Sequence, residues 1–352
     1  MSVKMCGYAP IGTGPENQPP PGPPTPPDER RLVIPDLPVW AGPEGLEDFS
    51  LASPAHMCWF SMLSRASYAA AATGMFQAVA RCCVSLGAPI TFVANTDAAV
   101  PGFGGIELNS CNILVVSGTT NQTQWFNQLL NTNLGPTGFP PAAPADGALV
   151  PPLYLAAAAA ISAAFPQHLA KPTIYIGDSM GGAIAEILWH KARRSGLNGG
   201  KCLTFGAPKP GNEFLRGSLP NAAGLNKRLA RDGDFVPQLP PDLSLLNIVS
   251  PPAFAPTVAN WSRYQHPGRS YILGSLGTVT SGDQRSLPLA IVGLLVALAA
   301  GQTINPIADH VIRGYSQTLR LGFNGWAGAD VRSWSNPSAL DSLAQQMTDL
   351  GV

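Results

Sequence analysis

Short apolar and β-branched runs recur along the chain and predict a series of buried strands. Most of them are bounded by Gly, Pro or Asn, which end strands in turns. The runs lie at residues 90–94 (ITFVA), 113–116 (ILVV), 173–176 (TIYI), 202–205 (CLTF) and 227–230 (KRLA).

Helical patterns separate several of these strands. Residues 56–86 contain no Pro and repeat apolar residues at helical spacing, which predicts one or two core helices broken near Gly74. Residues 153–165 form an Ala-rich run, and residues 180–195 carry an apolar face followed by basic residues and a glycine, as helix ends often do. Alternating strands and helices indicate an α/β fold with a mainly parallel central sheet and helices on both faces.

Proline dominates the first part of the chain. Nine of the eighteen residues from 10 to 27 are Pro, which excludes both a helix and a ladder strand there. We expect residues 1–45 to form an extended arm, either a linker or strap or a ligand for an unknown partner, and residues 46–352 to form a single catalytic domain. The start of the sequence lacks the apolar core of a signal peptide, which favours the cytoplasm over secretion.

Composition excludes several classes of function. Only 12% of residues are charged, and 21 basic side chains balance 21 acidic ones, so nucleic-acid binding by phosphate neutralisation is not expected. The six cysteines form no metal-binding or disulfide pattern, and we expect buried thiols, no metal and no cofactor. The apolar run at residues 287–300 is shorter than the roughly 18 to 20 residues that span a bilayer, so no transmembrane segment is predicted.

A candidate nucleophile follows the predicted strand at 173–176. The sequence GDSMGG at 177–182 places Ser179 on a strand-to-helix turn with small residues two places before and after it. Such a turn puts the serine at the positive end of the following helix, and the N–H of Met180 points at the oxygen that becomes negative during acyl transfer. This context, rather than the bare pattern, indicates a nucleophilic serine.

The serine needs a base and an acid from later in the chain. Of the five histidines, two precede Ser179 and one lies on the helix that begins there. His266 and His310 therefore remain as candidate bases. Asp234 follows the predicted strand at 227–230, at the edge where catalytic groups of open α/β sheets collect.

Four segments resemble the class 3, or fungal-type, triacylglycerol lipase family of α/β-hydrolases. GDSMGGA at 177–183 is similar to the family's G-H-S-L-G-G-A, and TFGAPKPGN at 204–212 to T-F-G-x-P-R-V-G-N. DFVPQLPP at 234–241 is similar to D-x-V-P-x-L-P-P, and VSGTTNQTQW at 116–125 to F-R-G-[ST] with a following Trp. The resemblance implies the α/β-hydrolase fold, with a lid-like helix after the oxyanion loop.

The resemblance also implies roles for residues. It makes Asp234 the acid, with Asp232 as the alternative, and Thr119 the second oxyanion donor beside Met180. The family's D-H-x-x-Y is similar to the segment containing His310, with Tyr315 two places late. We therefore expect His310 to be the base, and His266 is the alternative.

Two departures from the family change the picture. Asp178 replaces the family's histidine, so that a negative charge beside the nucleophile either opposes the oxyanion or faces solvent. Ser117 replaces an arginine ahead of Thr119, so any ion pair that this arginine makes is absent.

The segment after Thr119 resembles the family's lid. Residues 120–131 (TNQTQWFNQLLN) place an apolar stripe opposite uncharged polar residues, and a helix packed on the core would show the same stripe. We expect a mobile lid and acyl pocket formed by Trp125, Phe126, Leu129 and Leu130.

Together these features predict a serine carboxylic-ester hydrolase, a lipase or esterase without a cofactor. The expected substrates are acyl esters of short to medium chain or lipid esters, met at a lipid–water interface. The alternative is an inactive hydrolase-fold scaffold that recruits partners through the Pro-rich arm.

Overall fold

A computed structural model of the chain describes most of the expected catalytic domain. It covers residues 51, 54–70, 73–82, 88–94, 100–119, 134–136, 148–197, 200–212, 225–231, 233–240, 263–267, 269–282, 310, 312–325 and 337–350. The predicted arm at residues 1–45, the lid-like segment at 120–131 and the apolar run at 287–300 lie outside the described residues. No helix among the described residues is both long enough and apolar enough to cross a membrane.

The described strands form one large sheet and two small ribbons. The large sheet has the order β1-β2-β3-β6-β7-β9-β11-β12. Its strands are β1 Ile90–Val93, β2 Phe103–Glu107, β3 Asn112–Val116, β6 Thr173–Asp178, β7 Lys201–Phe205, β9 Asn226–Arg231, β11 Arg269–Leu273 and β12 Val279–Ser281. The ribbons pair β4 Gly135–Pro136 with β5 Leu149–Val150, and β8 Gly211–Asn212 with β10 Tyr264–Gln265.

The centre of the sheet is parallel, as predicted. Strands β3, β6, β7, β9 and β11 run in one direction, and antiparallel strands flank them at both edges. All five strands predicted from apolar runs are confirmed, with ends that differ by one or two residues. Every residue of β3 and β6 is buried, which is typical of parallel strands covered on both faces.

Six described helices surround the sheet. They are α1 Pro54–Ala66, α2 Met75–Arg81, α3 Pro152–Ala164, α4 Ser179–Arg194, α5 Ile312–Gly325 and α6 Pro337–Asp349. The predicted break near Gly74 is confirmed, because this residue has a left-handed φ of 63° and precedes α2. Helices α5 and α6 are not predicted from the sequence.

The two faces of the sheet carry different helices. On one face, Leu114 and Tyr175 belong to a core cluster with side chains of α3 and α4. Successive strand residues point to opposite faces, so the buried Ile113 and Ile174 lie on the other face, where α1 contacts β3 and β6. Helix α1 in turn packs against α5.

Strand β2 was not predicted because its sequence, FGGIE, places two glycines in the strand interior. The structure supplies the reason for both glycines. A Cβ at Gly104 would overlap the ring of Phe76, and a Cβ at Gly105 would lie inside the ring of Phe165. Two aromatic side chains therefore approach the strand backbone directly, and this packing compensates for the weak strand propensity of glycine.

Helix α4 is buried on nearly all sides rather than on one face. Its described buried residues include Glu186 and His190 as well as the apolar stripe. Burial raises the pKa of Glu186 from 4.5 to about 8, although the charge of Arg228 and the nearby amide of Asn226 lower it. The folded protein therefore holds this carboxyl group in its protonated form at neutral pH.

Protonation of Glu186 makes the stability of the fold depend on pH. The folded state keeps the proton up to about pH 8, whereas the unfolded chain releases it near pH 4.5. Stability from this group is thus complete below pH 4.5 and is lost as pH rises through 8. We expect Glu186→Gln to raise the free energy of unfolding at pH 9 by about 2 to 4 kcal/mol, with little effect at pH 4.5.

Urea denaturation at the two pH values measures this difference. Glu107→Gln, at the partly exposed end of β2, is the matched control and should change neither value appreciably. An equal effect of Glu186→Gln at both pH values would contradict the protonated state of Glu186.

Candidate active site

The carboxyl ends of the parallel strands bring the predicted site residues to one edge of the sheet. Val116 at the end of β3 pairs with Gly177 of β6, and Asp178 of β6 pairs with Phe205 of β7. The segments that follow these strands carry Thr119, Ser179 and Gly206, and Asp234 follows β9. Residues far apart in sequence therefore meet where open α/β sheets place their sites.

Ser179 stands on a strained turn between β6 and α4. Its φ is 50°, the one positive φ of a non-glycine residue within the described chain. A Cβ at Gly177 would collide with the backbone of Gly181, and a Cβ at Gly181 would collide with the backbone of Ser117. The small residues around the serine are thus required by direct backbone contact, and the strain they permit is typical of a nucleophile on a tight turn.

A hydrogen-bonded chain joins Ser179, His310 and Asp234. The Oγ of Ser179 lies 2.8 Å from Nε2 of His310. Nδ1 of the same ring lies 2.9 Å from Oδ2 and 3.1 Å from Oδ1 of Asp234. All three side chains are buried, and such an arrangement fits proton transfer from the serine to a ring held in one tautomer.

Two further donors hold the carboxylate of Asp234. The N–H of Val236 donates to Oδ1 at 2.9 Å, and the hydroxyl of Tyr315 donates to Oδ2 at 2.6 Å. Tyr315 is buried on α5 and also accepts a hydrogen bond from the N–H of Arg231. The sequence predicts no role for Tyr315, although its place after His310 in a family-like pattern is a signal for one.

The surroundings of His310 set its basicity. Burial lowers the pKa of His310, but the charge of Asp234, its hydrogen bond and the charge of Asp178 together raise it above the ordinary value. A raised pKa means that the imidazolium form is stabilised, which suits a group that must accept a proton from a serine.

The loop after β3 lies beside the nucleophile. The hydroxyl of Thr119 points at the sulfur of Met180, with Oγ1 3.7 Å from Sδ. Ser117, which stands where the family has arginine, is buried and donates both its N–H and its hydroxyl to the carbonyl of Gly102 at 2.9 Å. The short polar side chain of Ser117 therefore stands where the family has arginine, and it is hydrogen-bonded to the backbone.

The alternative base and acid lie elsewhere. Nε2 of His266 is 2.6 Å from the carbonyl oxygen of Pro237, and burial lowers the pKa of this ring well below its ordinary value. The ring of His266 is thus hydrogen-bonded to a backbone carbonyl, whereas the ring of His310 lies against Ser179. Asp232, the alternative acid, lies outside the described residues.

Asp178 does not face solvent, so this part of the expectation from the sequence is wrong. The side chain is buried and accepts hydrogen bonds from Ser64 and Tyr68, which approach it from α1 and the residues that follow that helix. The hydroxyl groups of Ser64 and Tyr68 thus replace the water that would solvate a carboxylate at the protein surface.

The described residues contain no cluster of His, Cys, Asp or Glu that could hold a metal ion. Four of the cysteines are described, and all four are buried thiols, as expected: Cys58, Cys82, Cys111 and Cys202. The four expected lid residues, Trp125, Phe126, Leu129 and Leu130, lie outside the described residues.

Part of the chain matches the model of one known family. Residues 113–244 match the model of the family Lipase (class 3). The matched segment begins in β3 and includes the Ser179 turn and Asp234. The resemblance found in the sequence is confirmed. The chain is a serine carboxylic-ester hydrolase.

Solved lipase structures align with much of the hydrolase at low identity. A fungal lipase–inhibitor complex shares 16% identity and a TM-score of 0.48, over 74% of this chain and 96% of that one. Rhizomucor miehei triacylglyceride lipase shares 18% identity and a TM-score of 0.44, over 67% and 88% of the two chains. Lip2 lipase from Yarrowia lipolytica shares 15% identity and a TM-score of 0.46, over 65% and 84%. No curated protein matches the sequence.

Gly206 permits the contact between Asp234 and His310. Its φ is +60°, and an added Cβ would lie 2.8 Å from Oδ2 of Asp234 and 3.0 Å from Nδ1 of His310. We expect Gly206→Ala to displace this pair and to lower kcat/KM by roughly 10².

Gly196→Ala is the matched control for this prediction. Gly196 also has a positive φ, 92°, but a Cβ there meets nothing within 4 Å. Both variants should lose about 1 kcal/mol of stability from backbone strain, measured by thermal unfolding, and only Gly206→Ala should lose activity. Equal activities of the two variants would exclude steric displacement of the pair.

Proposed function

We propose that Ser179, His310 and Asp234 are the catalytic triad of this hydrolase. The observation that carries the proposal is the unbroken hydrogen-bonded chain from Ser179 Oγ through the ring of His310 to Asp234. Ser179 attacks the ester carbonyl, and His310 takes its proton at Nε2. Asp234 holds the ring with Nδ1 protonated and stabilises the imidazolium that forms.

The reaction then proceeds through an acyl-enzyme. The tetrahedral intermediate collapses when its C–O bond to the alcohol breaks, and His310 returns the proton from Nε2 to the departing oxygen. Water enters, His310 takes a proton from it, and the hydroxide attacks the acyl carbon. The second intermediate releases the carboxylic acid and restores the Ser179 hydroxyl.

We assign the oxyanion hole to Met180 and Thr119. The N–H of Met180 follows the nucleophile at the first turn of α4, where the helix end carries partial positive charge. The N–H and hydroxyl of Thr119 supply the second set of donors. The contact between the side chains of Thr119 and Met180 supports this pairing.

We propose acyl esters of short to medium chain, or lipid esters, as the substrates. The low charged fraction of the chain, 12%, supports an uncharged acyl group over a charged one. A single domain at residues 46–352, which follows the Pro-rich arm, would carry the reaction.

The acyl-binding groove is assigned to two apolar segments of the sequence. The stripe of Trp125, Phe126, Leu129 and Leu130 would form one wall as a movable lid, and residues 287–300 the other. Each fully buried aliphatic side chain contributes about 1.5 to 3 kcal/mol, so such walls could select medium chains without a charged contact.

Substitution of the triad tests the first part of the proposal. Ser179→Ala is expected to lower kcat on p-nitrophenyl butyrate by up to about 10⁶, since it removes the nucleophile. His310→Ala should lower it nearly as much. Because His310 must be neutral to act as a base, kcat/KM of the unsubstituted enzyme should fall as pH falls through its raised pKa.

His266→Ala is the matched histidine variant and should retain ester turnover. Circular dichroism of each variant verifies that the fold is present. Full activity of His310→Ala together with an inactive, folded His266→Ala would overturn the assignment of the base.

A series of p-nitrophenyl esters from acetate to palmitate, with and without emulsion, tests the proposed groove. The double substitution Trp125→Ser and Leu129→Ser should reduce kcat/KM on medium and long chains by roughly 10-fold or more and spare acetate. Equal losses on all chain lengths, with a lowered melting temperature, would instead make both segments packed core.

A further inference from the structure

A second buried carboxylate lies directly beside the nucleophile. Asp178 ends β6, and its side chain is 3% exposed. The catalytic steps proposed above make no use of it. Burying a charged carboxylate raises the free energy of the folded state unless hydrogen bonds replace those of the solvent.

The replacements for water come from α1 and the turn that follows it. The Ser64 hydroxyl donates to Oδ1 of Asp178 at 2.8 Å, and the Tyr68 hydroxyl donates to Oδ2 at 2.6 Å. Ser64 lies in the last turn of α1 and Tyr68 two residues beyond its end. Both oxygens therefore have a hydroxyl donor, and the carboxylate connects α1 to the nucleophile turn.

The same cluster reaches the oxyanion loop. The backbone of Gly118 stabilises the charged forms of both Asp178 and Tyr68, and this contribution lowers the pKa of each group. A Cβ at Gly118 would overlap the Tyr68 hydroxyl and would lie 2.8 Å from Cβ of Ser179. Gly118 is thus held between Tyr68 and the nucleophile, one residue before the proposed donor Thr119.

The charge of Asp178 also reaches the base. Burial raises the pKa of Asp178 to about 6, although hydrogen bonds from Tyr68 and Ser64, the charge of His310 and the Gly118 backbone lower it. The carboxylate is therefore ionised in the range where an ester hydrolase with a neutral histidine works. In return, its charge contributes to the raised pKa of His310, after the larger contributions of Asp234.

We infer that Asp178 is a positioning residue: with Tyr68 it holds the Gly118–Thr119 segment against Ser179, and its negative charge supports the imidazolium form of His310. This inference rests on the proposed function. Asp178 acts through Gly118 and His310 and does not touch the substrate.

The direction of its hydrogen bonds explains how a negative charge is tolerated near a developing oxyanion. Both carboxylate oxygens are engaged by hydroxyls on the α1 side, whereas the Ser179 oxygen is directed at His310. The groups that face Asp178 are Ser64, Tyr68, the Gly118 backbone and His310. Its attraction for the imidazolium is thus opposed by its repulsion of the oxyanion, and we expect the attraction to prevail.

The substitution Asp178→Asn separates charge from shape. Asparagine keeps the size of the side chain and can still hydrogen-bond both hydroxyls, because a hydroxyl can donate or accept. We expect kcat on p-nitrophenyl butyrate to fall roughly tenfold with KM unchanged within about twofold. The acid limb of the pH profile of kcat/KM should move to lower pH by roughly half a unit or more, because His310 loses a neighbouring negative charge.

Tyr68→Phe tests the positioning without removing the charge. It should lower kcat with little change in KM and shift the acid limb less than Asp178→Asn does. Ser61→Ala is the matched control, since Ser61 is a buried residue of α1 whose hydroxyl donates to the carbonyl of Cys58 and not to Asp178. It should change neither kcat nor the pH profile.

The outcomes distinguish this inference from the proposed triad. If Ser179→Ala is inactive while folded Asp178→Asn and Tyr68→Phe both retain the wild-type kcat and acid limb, the positioning role is wrong and the triad stands. If Ser179→Ala retains full activity, the triad itself is wrong. If Asp178→Asn fails to fold, an unchanged kcat in Tyr68→Phe alone overturns the positioning role.

Discussion

A serine with a φ of 50° can stand between a strand and a helix only where the neighbouring backbones come very close, and this requirement governs the packing around the site. The backbones are so close that a Cβ at Gly177 would collide with the backbone of Gly181, and a Cβ at Gly181 would collide with the backbone of Ser117. The loop after β3 can therefore lie directly on the first turn of α4. Because that loop carries Thr119, the strain at Ser179 and the position of the proposed oxyanion donors have the same origin: the absence of side chains at these glycines.

Two buried carboxyl groups near the sheet show how local donors affect protonation. Asp178 has two hydroxyl donors, and burial still raises its pKa to about 6. Glu186 is less well supported, and burial raises its pKa to about 8. The desolvation penalty is common to such groups, whereas the number and kind of donors differ. The carboxyl group with two hydroxyl donors, Asp178, therefore has a lower pKa than Glu186 under α4.

The site depends on helices from both ends of the described chain. Helix α1 supplies Ser64 and leads to Tyr68, and α5, which follows His310, supplies Tyr315. These two helices pack against each other, so their contact couples the surroundings of Asp178 to those of Asp234. Contacts between groups in one hydrogen-bonded network are seldom additive. Changes in the α1–α5 contact are thus expected to act on both carboxylates, although they lie on different strand ends.

Local and strong periodicity in the sequence was enough to predict the five apolar strands and the helices around Gly74. It also predicted the strand, turn and helix that carry Ser179. The order of residues left His266 and His310 as candidate bases, and the resemblance to the lipase family favoured His310 and Asp234. The fold joins these two residues to Ser179 in one hydrogen-bonded chain. The remaining features depend on tertiary contacts. Strand β2 forms despite the low strand propensity of its glycines, because the rings of Phe76 and Phe165 fill the space beside them. Helices α5 and α6 are not predicted from the sequence. The choice between His266 and His310, and the burial of Asp178 under Tyr68, depend on residues that are distant in the chain. Local sequence encodes backbone preference, but the partners of a buried polar group are chosen by packing, which the order of residues does not display.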